Sequence, residues 1–203
     1  RVGKDPMTVE FALRLASAAA QVLAPEGGRA LVGKDTRLSG YMFEAALEAG
    51  FVAAGVDVSL IGPLPTPGIA YLTQKFDCRF GVVISASHNP YEDNGIKFFD
   101  AAGSKLSDET EARIEALLDG PALTRESVTL GRATRVDKSR VVYQEFCAST
   151  IPKGTDLSGL KIVIDCAHGA AYKVAPRELT DRGAEIIPIG CSPNGKNINL
   201  RCG

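Results

Sequence analysis

Residues 30–62 read ALVGKDTRLSGYMFEAALEAGFVAAGVDVSLIG, and their patterning decides the class of fold. The run ALVG at 30–33 is short and apolar throughout, as a strand covered on both faces would be. DTRLSG follows as a polar loop, and YMFEAALEAGFVAAG at 41–55 then has the composition of a helix, with Ser39 or Gly40 placed to cap it. From Val56 to Ile61 the chain is again apolar and β-branched, the mark of a second strand. Strand, loop, helix and strand in that order make a crossover unit, which parallel strands require and hairpins do not.

The same cycle extends outward. Upstream, TVEFALRLASAAAQVL at 8–23 repeats apolar side chains at Val9, Leu13, Ala16, Ala20 and Leu23, with Thr8 as a cap and Glu10 near the positive end of the dipole, which predicts a helix. Downstream, PLPTPG breaks the second strand and Ile69–Phe76 offers a short helix. GVVIS at 81–85 is a buried strand that ends in the polar loop ASHNPYEDNG, and IKFF at 96–99 resumes an extended pattern. Residues 107–119 read as a helix capped by Ser107, the pattern weakens over 120–136, and DKSRVVYQEFCAST at 137–150 gives one more amphipathic helix. After the linker PKGTDLSG, the strand LKIVIDC, a helix over about 169–181 and the strand AEIIPIG restart the cycle. The expectation is therefore an α/β fold, layered α/β/α around a mostly parallel sheet over residues 1–155, with a second similar unit opening over 156–203.

Composition bounds the function. The 203 residues carry 23 Lys plus Arg against 24 Asp plus Glu, a formal charge of −1, with 45% apolar residues, which excludes a disordered chain. That balance gives no electrostatic footprint for DNA or RNA, so nucleic acid is not an expected partner. No apolar run approaches the roughly 18 residues of a membrane span, and RVGKDPMTVE has no signal-peptide core, so the protein is expected off the membrane, in the cytoplasm. Its five cysteines are odd in number and scattered without a C-x-x-C pair, a usage that suits a reducing compartment and supplies no zinc site. The sequence starts with Arg1 rather than Met and stops just after PNGKNINL, so it is read as a piece of something longer, whose half-built second unit would aggregate through an open sheet edge.

Chemistry concentrates in ISASHNPYEDNGIKFF at 84–99, where two serines, a histidine, two acids and a lysine follow a strand end, the usual ligand edge of α/β folds. A serine here could be an acyl nucleophile, a phosphate carrier or a turn residue. Neither Ser85 nor Ser87 sits in G-x-S-x-G, and His88 is too near in sequence to serve Ser87 as a base, so acyl transfer fits poorly. Phosphate handling fits better, with Lys97 and His88 in the same segment and Arg37 in another post-strand loop offering a planar fork to phosphate oxygens. Asn89-Pro90 and Asp93-Asn94-Gly95 would fix the loop by turn chemistry.

The string SASHNPYEDNGIKFF resembles the active-serine loop of the phosphohexomutases, and within them that of the bacterial phosphoglucosamine mutases. GKDTRLSGYMFEAALEAG and GPLPTPGIAYLT resemble their first domain, and LKIVIDCAHGAAYKVAP and GCSPNGKNIN the opening of their second. The resemblance implies an isomerase that interconverts glucosamine 6-phosphate and glucosamine 1-phosphate through a phosphoserine and a sugar bisphosphate, supplying amino-sugar nucleotide for the cell wall. It implies Ser87 as the phosphoryl carrier, His88 and Lys97 as catalytic neighbours, Arg37 and Asn89 as phosphate or substrate contacts, and Mg²⁺ bound through the phosphate on Ser87. It further implies a small sugar phosphate as partner and a homo-oligomer. The family's aspartate-rich metal string, D-G-D-x-D-R, does not occur in the 203 residues, and His168 stands where the family usually has Asn.

Plainer readings stand beside these. Ser87 could be a turn residue, Lys97 a solvated strand residue, His88 a loop brace, and Arg37 a surface partner of Asp35 or Glu44. The family alternatives are phosphomannomutase and phosphoglucomutase; outside catalysis, a module that only binds sugar phosphates is the other reading.

Overall fold

The computed structural model describes residues 1–202. Five strands, β1 (Gly28–Lys34), β2 (Val56–Pro63), β3 (Phe80–Ile84), β4 (Ile96–Asp100) and β5 (Ala133–Arg135), form one sheet in the order β4-β3-β1-β2-β5. All neighbours run parallel except β3 and β4, which pair antiparallel with Val83 opposite Lys97. The helices are α1 (Val9–Leu23), α2 (Ser39–Ala53), α3 (Thr66–Lys75), α4 (Asp108–Glu115), α5 (Ser139–Ser149) and α6 (Val174–Thr180). A separate parallel pair, β6 (Lys161–Asp165) and β7 (Glu185–Ile189), brackets α6.

The central strands read as continuous apolar runs because both of their faces are covered. Ala30, Val32, Phe80, Val82 and Ile84 pack with α1 and α2 through Ala12, Ala16, Phe43, Leu47 and Phe51. Leu31, Ile61 and Val83 point the other way, onto Ile69 and Leu72 of α3 and Tyr143 of α5. This is the expected α/β/α layering. Val174 of α6 belongs to that second cluster, so the β6–β7 unit is packed against the first sheet's α3 and α5 side.

Local chemistry explains most element ends. Thr8 caps α1 by accepting from the Phe11 amide, and Ser107 caps α4 by accepting from Thr110. The expected cap of α2 is not used: Ser39 is its first helical residue, Leu38 precedes it in helical geometry, and the Leu38 amide donates instead to the Gly195 carbonyl of the second unit. The next amides, those of Gly40 and Tyr41, are met locally by the Arg37 and Leu38 carbonyls. β5 lies in the stretch where the pattern weakens; three residues at a sheet edge bury too little to leave a periodicity. The helix expected over 169–181 begins only at Val174, because the chain before it closes three-residue turns, with the Tyr172 amide donating to the Gly169 carbonyl and the Val174 amide to that of Ala171.

α1 and α2 cross closely at Gly50. A Cβ built there would stand 2.6 Å from the Ala16 methyl and 2.8 Å from the Leu13 carbonyl oxygen. Helix propensity favours a side chain at this position by up to about 1 kcal/mol, but overpacking against backbone outweighs it. Gly50→Val should lower unfolding stability by about 1–3 kcal/mol in denaturant titration. Gly120→Ala, whose methyl would approach nothing closer than 3.4 Å, should stay within about 0.5 kcal/mol of the parent.

Candidate active site

Parallel strands deliver their following loops to one edge of the sheet. There the loops after β1, β2 and β3 meet the turn after β6 around a cavity of about 380 Å³, lined by Asp35, Thr66, Ser85, Ser87, His88 and Asn199 among others. The sequence loop 85–95 is its prominent wall.

Ser87 is exposed and lies at φ 55°, a left-handed geometry that β-carbon crowding disfavours. Its amide donates to the Ser85 hydroxyl at 3.1 Å, which separates the two serines by role: Ser85 braces, Ser87 is displayed. The Ser87 hydroxyl makes no hydrogen bond within the described residues. His88 is exposed beside it on the same cavity. Thr66, the first residue of α3, also lines the cavity, so the positive end of a ten-residue helix is directed at the space where an anion on Ser87 would sit.

Arg37 does not approach the cavity as a phosphate fork. It is fully buried beneath the loop, and its Nε donates to Asp35 Oδ2 at 2.8 Å. Its Nη2 donates to the Ser87 and Asn89 carbonyls at 2.9 Å each, and its Nη1 to the Asp93 carbonyl at 3.1 Å and to that of Pro90. Every N–H of the guanidinium is thereby used. The plainer expectation of a pair with Asp35 is met, but the pair is buried rather than solvated, with Asp35 Oδ1 also accepting the Arg37 amide. Asn89 likewise turns inward and donates to Asp93 Oδ2 at 3.2 Å.

Lys97 stands exposed on the edge strand β4, directly opposite Val83, and lines a different cleft, with Ile96, Phe98 and Leu106. Among the described residues no Lys or Arg side chain lines the Ser87 cavity. Lys34 and Asn199, which sequence reasoning passed over, and Glu44, which it offered only as a partner of Arg37, are structural neighbours of the site. Lys34 and Glu44 form a buried pair at 2.8 Å, with the Lys34 ammonium 3.8 Å from the Tyr41 ring centre. Asn199, within the quoted GCSPNGKNIN, donates from Nδ2 to both the Ser87 and Asn89 carbonyls at 3.0 Å. No local signal could have joined position 199 to position 87. His168 is structural, its Nδ1 accepting the Ser192 amide at 3.2 Å and its carbonyl the Thr36 hydroxyl.

The chemistry available is anion handling at an exposed hydroxyl. Among the described residues no three His, Cys, Asp or Glu side chains converge to hold a metal ion, so the expected Mg²⁺ finds no ready-made shell here. Cys166 lines the cavity, but burial first, then the Cys191 thiol and the Asp165 carboxylate, push its thiol up to about 12. It therefore keeps its proton at neutral pH and is no nucleophile. Iodoacetamide at pH 8 should modify Cys166 at least ~100-fold more slowly than a free cysteine peptide, with the rate rising only as the pH approaches 12. A second outcome follows from the buried pair under the loop: Arg37→Met, which strands Asp35, should cost about 3–5 kcal/mol. Adding Asp35→Asn should recover part of that loss, a coupling read by a double-mutant cycle.

A family profile described as phosphoglucomutase/phosphomannomutase, alpha/beta/alpha domain I, matches residues 1–124. Curated relatives called phosphoglucosamine mutase, from Burkholderia pseudomallei and Burkholderia vietnamiensis, are each 60% identical over 98% of this chain and 46% of their own length. The chain thus spans about half the length of these relatives. A crystal structure of a phosphoglucomutase/phosphomannomutase family protein from Burkholderia thailandensis superposes with a TM-score of 0.78 at 26% identity, over 97% of this chain and 43% of that one. With the profile covering more than half of its residues and the same layered sheet beneath them, this chain belongs to the phosphoglucomutase/phosphomannomutase family.

Proposed function

We propose that the chain is the phosphoserine-bearing part of a phosphoglucosamine mutase, interconverting glucosamine 6-phosphate and glucosamine 1-phosphate. The observation that carries this is Ser87, held at φ 55° with its hydroxyl directed to solvent at the mouth of a cavity that a helix N-terminus makes favourable to anions. The 60% identity to proteins of that name supports the amino sugar over the hexose alternatives.

The steps balance without an outside reagent. Phosphoserine 87 passes its phosphoryl group to the C1 oxygen of glucosamine 6-phosphate; the Ser87 Oγ–P bond breaks, an O1–P bond forms, and the C1 hydroxyl proton leaves. The bisphosphate reverses in the cavity and returns the C6 phosphoryl group to Ser87, releasing glucosamine 1-phosphate. Such transfer depends on position and charge neutralisation more than on a strong base. His88, beside Ser87, is the group on this chain placed to carry the proton, while Arg37 and Asn89 act through the loop they hold. Lys97 acts from β4, outside the cavity lining, so a part in steering the anionic substrate suits it better than contact with the phosphoryl group. Mg²⁺ on a Ser87 phosphate oxygen would neutralise charge, although the described residues supply no carboxylate set to hold it. On the same reading residues 1–155 form the active-serine unit and 156–203 open a second, in keeping with the two separate sheets.

The full-length protein that carries this chain, incubated with glucosamine 6-phosphate, Mg²⁺ and a trace of the bisphosphate, should form the 1-phosphate and carry a phosphoryl adduct at Ser87 by intact mass, whereas residues 1–203 alone should be inactive. Ser87→Ala should abolish the adduct and lower kcat at least ~1,000-fold. Unchanged turnover in that variant overturns the assignment.

A further inference from the structure

We propose that Asn199 is a positioning residue for phosphoryl transfer, a clasp by which the β6–β7 unit sets the conformation of the serine loop. The inference rests on Ser87 being the phosphoryl carrier and deepens that reading.

Of the four loop carbonyls that face inward, those of Ser87 and Asn89 are each met by two side chains. Arg37 reaches both through Nη2 at 2.9 Å, and Asn199 reaches both through Nδ2 at 3.0 Å. Each carbonyl therefore has both lone pairs occupied, one by a donor from its own sheet and one by a donor from the other unit. Arg37 alone would fix the loop's depth. The second donor fixes the Ser87–His88 and Asn89–Pro90 peptide planes, and through the first of them the ψ of Ser87, the residue whose unfavourable φ goes with the display of its hydroxyl.

Asn199 is itself held for this task. It lies at φ 60°, a left-handed value that Asn tolerates better than most residues, and its amide donates to the Ala167 carbonyl at 2.9 Å. Ile198 before it is buried, 5% exposed, which anchors the segment from the other side. Two further bonds tie the units together at the same edge, from the Leu38 amide to the Gly195 carbonyl and from the Thr36 hydroxyl to the His168 carbonyl. These register the segment around Asn199 against the β1 loop that carries Arg37. A change in the angle between the units would draw Nδ2 from the carbonyls first, since its two bonds are the ones that end on the serine loop.

Asn199→Asp in the full-length protein keeps the side chain's shape and replaces the donor by a carboxylate facing two carbonyls; Asn199→Gly keeps the backbone and removes the side chain. Both should speed hydrogen exchange of the 86–94 amides at least ~10-fold, with exchange in β1 and β3 unchanged. Both should lower kcat and the rate of Ser87 phosphorylation by sugar bisphosphate ~10- to 100-fold while KM moves less than about 3-fold. Parent-like loop exchange in both variants overturns the clasp, and so does faster exchange with unchanged kcat. If the parent itself shows no mutase activity, it is the functional reading that fails, and the exchange measurement still decides whether Asn199 holds the loop.

Discussion

The guanidinium of Arg37 is the point on which this edge of the molecule depends. A loop that doubles back at two turns within ten residues leaves several carbonyls directed at its own base, in part-buried surroundings, and an acceptor left unmet on burial costs about 1–3 kcal/mol. One arginine meets four of them, at Ser87, Asn89, Pro90 and Asp93, and Asp35 balances the charge that burial would otherwise make prohibitive. A lysine in its place has three donors and no fork, so the same loop could not be held by it.

That solution is available because of strand order. β1 and β3 are direct neighbours, with Lys34 opposite Ile84, so the residues after each leave the sheet side by side. Asp35 donates its amide to the Ile84 carbonyl, which continues the ladder one step past the sheet and brings Arg37 under the serine loop. Beside it Lys34 turns back to the buried Glu44, whose Oε2 has no hydrogen-bond partner among the described residues, and Arg135 of the edge strand stands 3.8 Å from its Oε1. Two charged pairs thus sit at the end of one strand, one supporting the loop and one securing α2 to the sheet.

Much of this was legible from residues alone, and what was not shares a physical cause. The layered fold followed from runs such as ALVG and GVVIS, since burial on both faces demands continuous apolarity, and the caps at Thr8 and Ser107 are local chemistry. The serine loop was legible as a cluster of reactive groups after a strand. The direction of Arg37 was not: a cation near a phosphate-like loop looks the same in sequence whether it faces ligand or loop backbone, and only the count of inward carbonyls separates the two. The cleft that Lys97 lines was not legible either, because its apolar neighbours Ile96 and Phe98 signal alternation on a strand without saying what each face meets.

Display of a reactive hydroxyl and stability of the loop that bears it pull in opposite directions, and the donors around Ser87 show how both are kept. A left-handed serine costs of order 1–3 kcal/mol against a relaxed turn. Hydrogen bonds from a charged donor, at about 1.5–3 kcal/mol each, are enough to hold it, but Arg37 alone leaves the peptide planes free to rotate about its single Nη2. A second donor approaching from another unit removes that freedom without covering the hydroxyl. The strained residue is therefore stabilised from the side opposite its chemistry, which leaves the cavity face open to substrate.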